Sequence, residues 1–415
     1  MPLKTTFKIP ASLCLKCRSA KMLCGLSYCP ISIARSLDSV HVKSAGNSLS
    51  GSTPPSVFVG RYGYPKIQVY PSTPPAFGDT SVYEDASKWL DMDMNSFLEM
   101  RLSLLRGGRP IEVTKASSPD YFLQDLQVMS LSNSPVDVEM VLAKPISGKE
   151  YVLSEYTPPM GPSAPLESLH VGTVHPNRNA EKIFYDTDMK ASPGIYSLYK
   201  SNLDVTSITR MLSIGALGIG KKRRMVPTRW AITATDKVVS DENVEILKRY
   251  PSVDKFQAFV RKVSGNLFMA VIAPNSWRFE WGEAWFPGST WNSFGDRVEL
   301  MIDHEEYGGR SSYPDIGGCY YSSRLAVSEY LTSIRRSGAP MLWREIYPNF
   351  NIPLGVWFVR ENVRAMFSSK PVECDTLEEA ISYLSSFTKV PIRMWAGRSW
   401  VASSLKEPTL DRYFT

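Results

Sequence analysis

Hydrophobic and polar positions change period often along this chain. Val57 to Tyr70 (VFVGRYGYPKIQVY) reads as two β-rich runs around a Gly/Tyr/Pro turn. Residues 86–106 then take helical spacing, with Trp89, Leu90, Phe97, Met100 and Leu104 on one side, and a second helix is predicted through Tyr121–Leu131. ENVEILKRYPSVDKFQAFV predicts short helices, followed by a strand at Asn266–Ala273. Near the end, Asp375-Thr-Leu-Glu378 has the spacing of a capping box, and Leu377, Ala380, Ile381 and Leu384 mark one face of an amphipathic helix. Strand and helix signals alternate irregularly, which predicts an α+β fold with a large mixed α/β body rather than a regular βαβ array.

Composition adds boundaries to that pattern. The chain has 415 residues, 43% hydrophobic, 21% charged and 11% aromatic, the make-up of an ordinary folded protein. A Ser/Gly/Pro-rich stretch, SAGNSLSGSTPPS, divides a cysteine-rich start from the rest. The expected division is a four-cysteine module at 1–43, a linker at 44–56, a main body at 57–404 with room for two subdomains, and a tail at 405–415. Met1 to Leu13 lacks the continuous apolar core of a secretory signal. The longest apolar run, Leu267 to Ala273, is far shorter than the ~20 residues of a membrane helix. A soluble, cytoplasmic protein with no membrane partner is expected.

The formal charge is +6, and its placement matters more than its size. Lys4, Lys8, Lys16, Arg18, Lys21 and Arg35 precede the first acid, Asp38, so the remaining chain is formally neutral. A basic start on a neutral body suits a polyanion such as DNA.

Cys14, Cys17, Cys24 and Cys29 give C-x2-C-x6-C-x4-C, with Pro30 directly after. Four soft thiolates this close in sequence can converge on one tetrahedral ion and leave no open position, so one structural zinc is the expected occupant. An iron–sulfur cluster is the main alternative, because Cys-Pro also ends many cluster-binding runs. Two disulfides would require an oxidising compartment. The isolated Cys319 and Cys374 read as packed thiols.

Within the body, GALGIGKKRR brings Lys221, Lys222, Arg223 and Arg224 after small residues that let a backbone approach a phosphate. Its glycine spacing matches neither a Walker motif nor a dinucleotide fingerprint. WRFEWGEAWFPGSTW carries four tryptophans, which read as core rather than as base-stacking surface. Polar clusters at 303–310 and 357–364 supply Asp303, Glu361 and Arg364, which with Arg61, Tyr62 and Arg229 are the candidates for a catalytic pocket. No spaced signature among them specifies a reaction.

The tail holds Glu407, Leu410, Tyr413 and Phe414 in the register Q-x-x-h-x-x-a-a of peptides that bind sliding clamps. One turn of tight helix places Leu410, Tyr413 and Phe414 on one side as a three-pronged apolar plug. Glu407 stands where Gln is usual; ionised, it accepts a hydrogen bond but cannot donate one.

CLKCRSAKMLCGLSYCP (14–30), FVGRYGYPKI (58–67), KKRRMVPTRWAIT (221–233), GVWFVREN (355–362) and the tail together resemble the archaeal Nre DNA repair proteins. The resemblance implies a role in DNA-damage repair, a four-cysteine zinc finger and recruitment by the sliding clamp PCNA through residues 407–414. It supplies no reaction. The expected function is therefore DNA binding at sites chosen by the clamp. The alternatives are an enzyme acting on damaged DNA or a nucleotide, and an RNA-binding protein.

Overall fold

The computed structural model describes residues 9–19, 21–25, 29, 31, 45–147, 151–263 and 265–406. Among the described residues there are two mixed six-stranded sheets together with helices, the α+β fold expected. The chain divides into two compact units: Leu37–Glu242 with Leu354–Phe358, and Met1–Ser36 with Asn243–Pro353 and Val359–Thr415. Among the described residues no helix is long and apolar enough to cross a membrane.

The first unit contains β1 (Ser48–Thr53), β2 (Val57–Val59), β3 (Lys66–Thr73), β4 (Leu105–Glu112), β5 (Val136–Leu142) and β6 (Ser163–Val171). They lie in the order β1-β5-β6-β4-β3-β2, antiparallel except for β4 beside β6. The hairpin expected at 57–70 is β2–β3. The stretch with linker composition is not a linker throughout, because Ser48–Thr53 pairs along its length with β5. Small side chains are what this edge position requires. A Cβ on Gly51 would lie 2.2 Å from the Pro74 carbonyl. Thr53 is buried and donates to the Ser72 carbonyl at 2.6 Å. Within the predicted helical stretch at 86–106, the regular α-helix is Met94–Leu102, capped by Asp93, and Leu105 already begins β4. Trp357, carried back to this unit by residues 354–358, packs edge-on to Trp89 at 4.8 Å and against Phe97 at 5.0 Å. The predicted second helix is Tyr121–Ser130, its first turn held by the Asp120 carboxylate.

The second unit contains β7 (Phe256–Val263), β8 (Asn266–Ala273), β9 (Phe279–Trp285), β10 (Glu299–Glu305), β11 (Ala339–Ile346) and β12 (Val372–Cys374), in the order β10-β9-β11-β8-β7-β12. Again one pair, β9 with β11, is parallel. Phe256–Val260, the end of the stretch expected as short helices, instead belongs to strand β7. β8, β9 and β11 are buried along their whole length, as a strand covered on both faces must be. Leu267, Met269, Val271 and Ala273 face Leu377, Ala380, Leu384, Trp395 and Val401 of the C-terminal helices. The helix Leu377–Ser385 has the predicted apolar face, but its cap is one residue later than expected. Thr376 accepts from the Glu379 N–H, and Glu379 reaches back to the Asp375 N–H at 2.9 Å.

The four tryptophans between 277 and 291 are buried, as read from sequence. With them the sheet buries four carboxylates, and every one is satisfied. Glu280 accepts from Trp343 Nε1 and Ser399 Oγ. Glu305 takes Arg324, Trp277 and Tyr320, and Glu345 the backbone N–H groups of Lys389 and Val390. Glu283, on the opposite face of β9 from Glu280, is shared by Arg18 at 2.8 Å and Arg344 at 3.3 Å. Breaking such a pair leaves charge buried without compensation. Glu283→Ala is therefore expected to cost about 3–5 kcal/mol, read as a clear fall in the Tm of thermal unfolding. Lys255→Ala, in an exposed pair with Asp375, should leave the Tm unchanged. Equal effects of the two substitutions would contradict this account.

Candidate functional site

Two places gather the residues singled out by sequence, one in each unit. The first is the four-cysteine segment. The helix Ala11–Cys17 puts Cys14 and Cys17 on one face, three residues apart. It buries Leu15, and Arg18 at its end turns inward, donating through Nε to the Leu15 carbonyl and through Nη2 to Glu283. The Arg18 guanidinium also lies 5.4 Å from the centre of the Trp285 ring. Leu15 and Arg18 are thus part of their unit's core.

Cys14, Cys17, Cys24 and Cys29 line one small cavity of about 20 Å³ whose other walls are apolar, among them Leu13, Ile31, Trp291 and Phe294. Among the described residues no two cysteines form a disulfide. Burial, then the neighbouring Cys29, Cys17 and Cys24, push the Cys14 thiol up to about 11. That mutual repulsion is the electrostatic condition a divalent cation relieves. Among the described residues, no group of three or more His, Cys, Asp or Glu is already drawn together as a metal site. The donor set and its apolar wall fit a closed tetrathiolate centre.

The second place is a corner of the unit that carries β1–β6. β2 and β3 meet at the tip Gly60–Pro65, where Gly60 N–H donates to the Gln68 carbonyl and Lys66 N–H to that of Gly63. Gly63 has φ of +82°, and a Cβ there would meet the Lys66 carbonyl at 2.7 Å, so the tip requires glycine. Thr228, opening the helix Thr228–Leu247, accepts from the Val59 N–H at 2.8 Å. The chain flanking that helix completes the corner, since Met225 N–H donates to Val113 and Val113 N–H to Pro65. FVGRYGYPKI and KKRRMVPTRW, far apart in sequence, are therefore neighbours.

The basic run divides by direction. Lys221, Lys222 and Arg224 are exposed. Arg223 turns inward, stacks on Phe184 and donates to the Gly218 and Phe184 carbonyls. Burial lowers its pKa from the ordinary arginine value, against the pull of Asp186. Arg61 lies over the Tyr62 ring at 4.7 Å. Tyr64 and Trp230 meet at 5.7 Å and both stay half exposed. Neither was singled out from sequence, where an exposed aromatic and a core aromatic look alike; the signal available was their place beside a glycine turn and a basic run.

The remaining candidates for a catalytic pocket lie in separate hydrogen-bond sets. Arg229 stacks on Tyr156 at 3.9 Å. In the other unit, Asp303 accepts from Arg310 and from the Ile316 N–H. Glu361 accepts from Arg360 and Arg364, while Arg364 grips Glu329 with two bonds of 2.7 Å. Asp303, partly exposed, and Glu361, buried, are both engaged in ion pairs. The tail residues Glu407, Leu410, Tyr413 and Phe414 lie outside the described residues.

Comparison with known proteins follows this geometry across both units. The family model described as Archaeal Nre, N-terminal matches residues 23–292, and Archaeal Nre, C-terminal matches residues 305–413. The chain is 41% identical over 399 residues to DNA repair protein NreB of Archaeoglobus fulgidus, spanning 96% of this chain and 98% of that one. It is 32% identical over 404 residues to DNA repair protein NreA of the same organism, covering 97% and 98% of the two chains. It is also 32% identical over 374 residues to DNA repair protein NreA of Haloferax volcanii, covering 88% and 89%. No solved structure matches. The chain belongs to the archaeal Nre family.

Proposed function

We propose that this chain is a DNA repair protein that binds DNA through the basic corner of its first unit. It holds one structural zinc ion with Cys14, Cys17, Cys24 and Cys29, and is brought to its sites by a sliding clamp of the PCNA type that grips residues 407–414. The observation that carries the repair role is the end-to-end match to three proteins named for DNA repair. Support for DNA contact comes from Lys221, Lys222 and Arg224, exposed on the chain that leads into Met225 and Thr228 at the corner. Each cation that neutralises a phosphate releases a counterion, so such binding weakens as salt rises.

Support for zinc comes from four thiols on one apolar cavity. A bound zinc ion would hold the four sulfurs as thiolates and fix the fold of the segment; it carries no catalytic step here, because the four ligands close the site. Binding the ion requires the release of the thiol protons. The clamp reading rests on the register of Leu410, Tyr413 and Phe414, and tethering raises local concentration without further DNA contacts. When engaged on DNA the protein is expected with the nucleoid.

Three outcomes test these parts separately. Metal analysis of the purified chain should find about one zinc per molecule, lost on Cys14→Ser; visible absorption bands of an iron–sulfur cluster would replace zinc by the alternative. Substituting alanine at Lys221, Lys222 and Arg224 should weaken duplex binding and lower its salt slope by about one unit for each phosphate no longer neutralised. Unchanged affinity and slope would remove this corner from DNA binding. Deleting residues 407–415 should abolish capture by immobilised clamp and leave the Tm in place; retained capture would refute the tail's role.

A further inference from the structure

The corner has a property that duplex binding does not use. Tyr62, Tyr64 and Trp230 expose 73%, 52% and 46% of their surface within one small region. Large exposed aromatics grouped in this way mark a surface that meets a partner. Their setting is cationic: Arg61 and Lys66 flank the tip, Lys115 is exposed on the adjoining turn, and Lys221, Lys222 and Arg224 follow. Glu112, opposite Lys66 in the β3–β4 register, is an acid among them.

We propose that Tyr62, Tyr64 and Trp230 form a stacking platform for the bases of an unpaired stretch of DNA, with the neighbouring cations holding its phosphates. This rests on the DNA-binding reading above and names the form of DNA that the corner takes. Three features of the geometry favour that occupant. Ring faces are useless to a closed duplex, whose bases are already stacked on one another, but each offers a surface to a base that has lost its neighbour. Arg61 covers one face of Tyr62 from 4.7 Å, which leaves the other for a base. Tyr64 and Trp230 are tilted by 53° and so present separate outward faces rather than one closed stack.

The platform is also held in shape before any ligand arrives. The Gly63 turn, the Gly60–Gln68 hydrogen bond and the Val59–Thr228 bond fix the tip against the start of the helix. A preorganised surface loses little freedom on binding. A protein partner would also use tyrosine and tryptophan, but the surrounding positive charge favours a polyanion. Unpaired DNA is what repair encounters at gaps, flaps and opened lesions, so this preference would direct the protein to such sites.

The test uses the full chain and fluorescence anisotropy with a labelled oligo-dT of about 20 nucleotides, a duplex of the same length and the matching oligo-rU. The wild type should bind oligo-dT more tightly than duplex. Tyr62→Ala/Tyr64→Ala/Trp230→Ala should lose about tenfold or more on oligo-dT and change little on duplex. Tyr62→Phe/Tyr64→Phe/Trp230→Phe keeps the rings and should retain most of the affinity, which separates stacking from a folding defect. The cation variant should weaken both DNA forms. An aromatic variant that matches the wild type on oligo-dT, or loses equally on both forms, would overturn the platform while leaving DNA binding in place. Tighter binding of oligo-rU would assign the platform to RNA and overturn it too. Failure of the wild type to bind either DNA form would instead remove the DNA-binding reading itself.

Discussion

A single buried carboxylate ties the cysteine helix to the sheet of its unit. Glu283 sits at the middle of a fully buried strand, where an unpaired charge could not persist. Arg344 on the neighbouring strand supplies one partner and Arg18, at the end of the cysteine helix, the other. Both guanidiniums lie within 5.9 Å of the centre of the same Trp285 ring. Satisfying the strand therefore requires that the N-terminal segment be folded onto the sheet. That docking is what brings Cys14 and Cys17 to the wall formed by Trp291 and Phe294. The cysteine cluster is built on the sheet's own electrostatics and does not stand apart on a tether.

Elements whose apolar period was strong were legible in the sequence. The β2–β3 hairpin, the helix at Tyr121–Ser130, strand β8 and the apolar face of Leu377–Ser385 all follow the pattern of side chains. What escaped was decided by contacts between distant residues. Ser48–Thr53 has the composition of a linker, yet forms an edge strand because β5 supplies its hydrogen bonds and Gly51 admits a close backbone approach. β7 was hidden among helix formers, and its partner β8 made it a strand. Glu280 and Glu283 within WRFEWGEAWF give no sign that they alternate between the two faces of a strand, each face holding its own donors.

The functional surface divides in the same way. The four cysteines that lie close in sequence also line one cavity. The basic run was readable as charge, but not the inward turn of Arg223, which the carbonyls around Phe184 and Gly218 dictate. Tyr64 and Trp230 emerge as surface only once the hairpin tip meets the first turn of the Thr228–Leu247 helix. Asp303, Glu361 and Arg364 looked like catalytic residues and are held in ion pairs of the kind that order a large fold.

DNA is proposed to meet the corner formed by the hairpin tip and the basic run. Hydrogen exchange of the full chain with and without single-stranded DNA tests it most directly, because it reads every segment at once. Amides at 59–66 and 220–231 should gain protection on DNA addition, with the strands of the second unit unchanged. Protection confined to residues 256–346, or none at 59–66 and 220–231 while DNA is demonstrably bound, would contradict it.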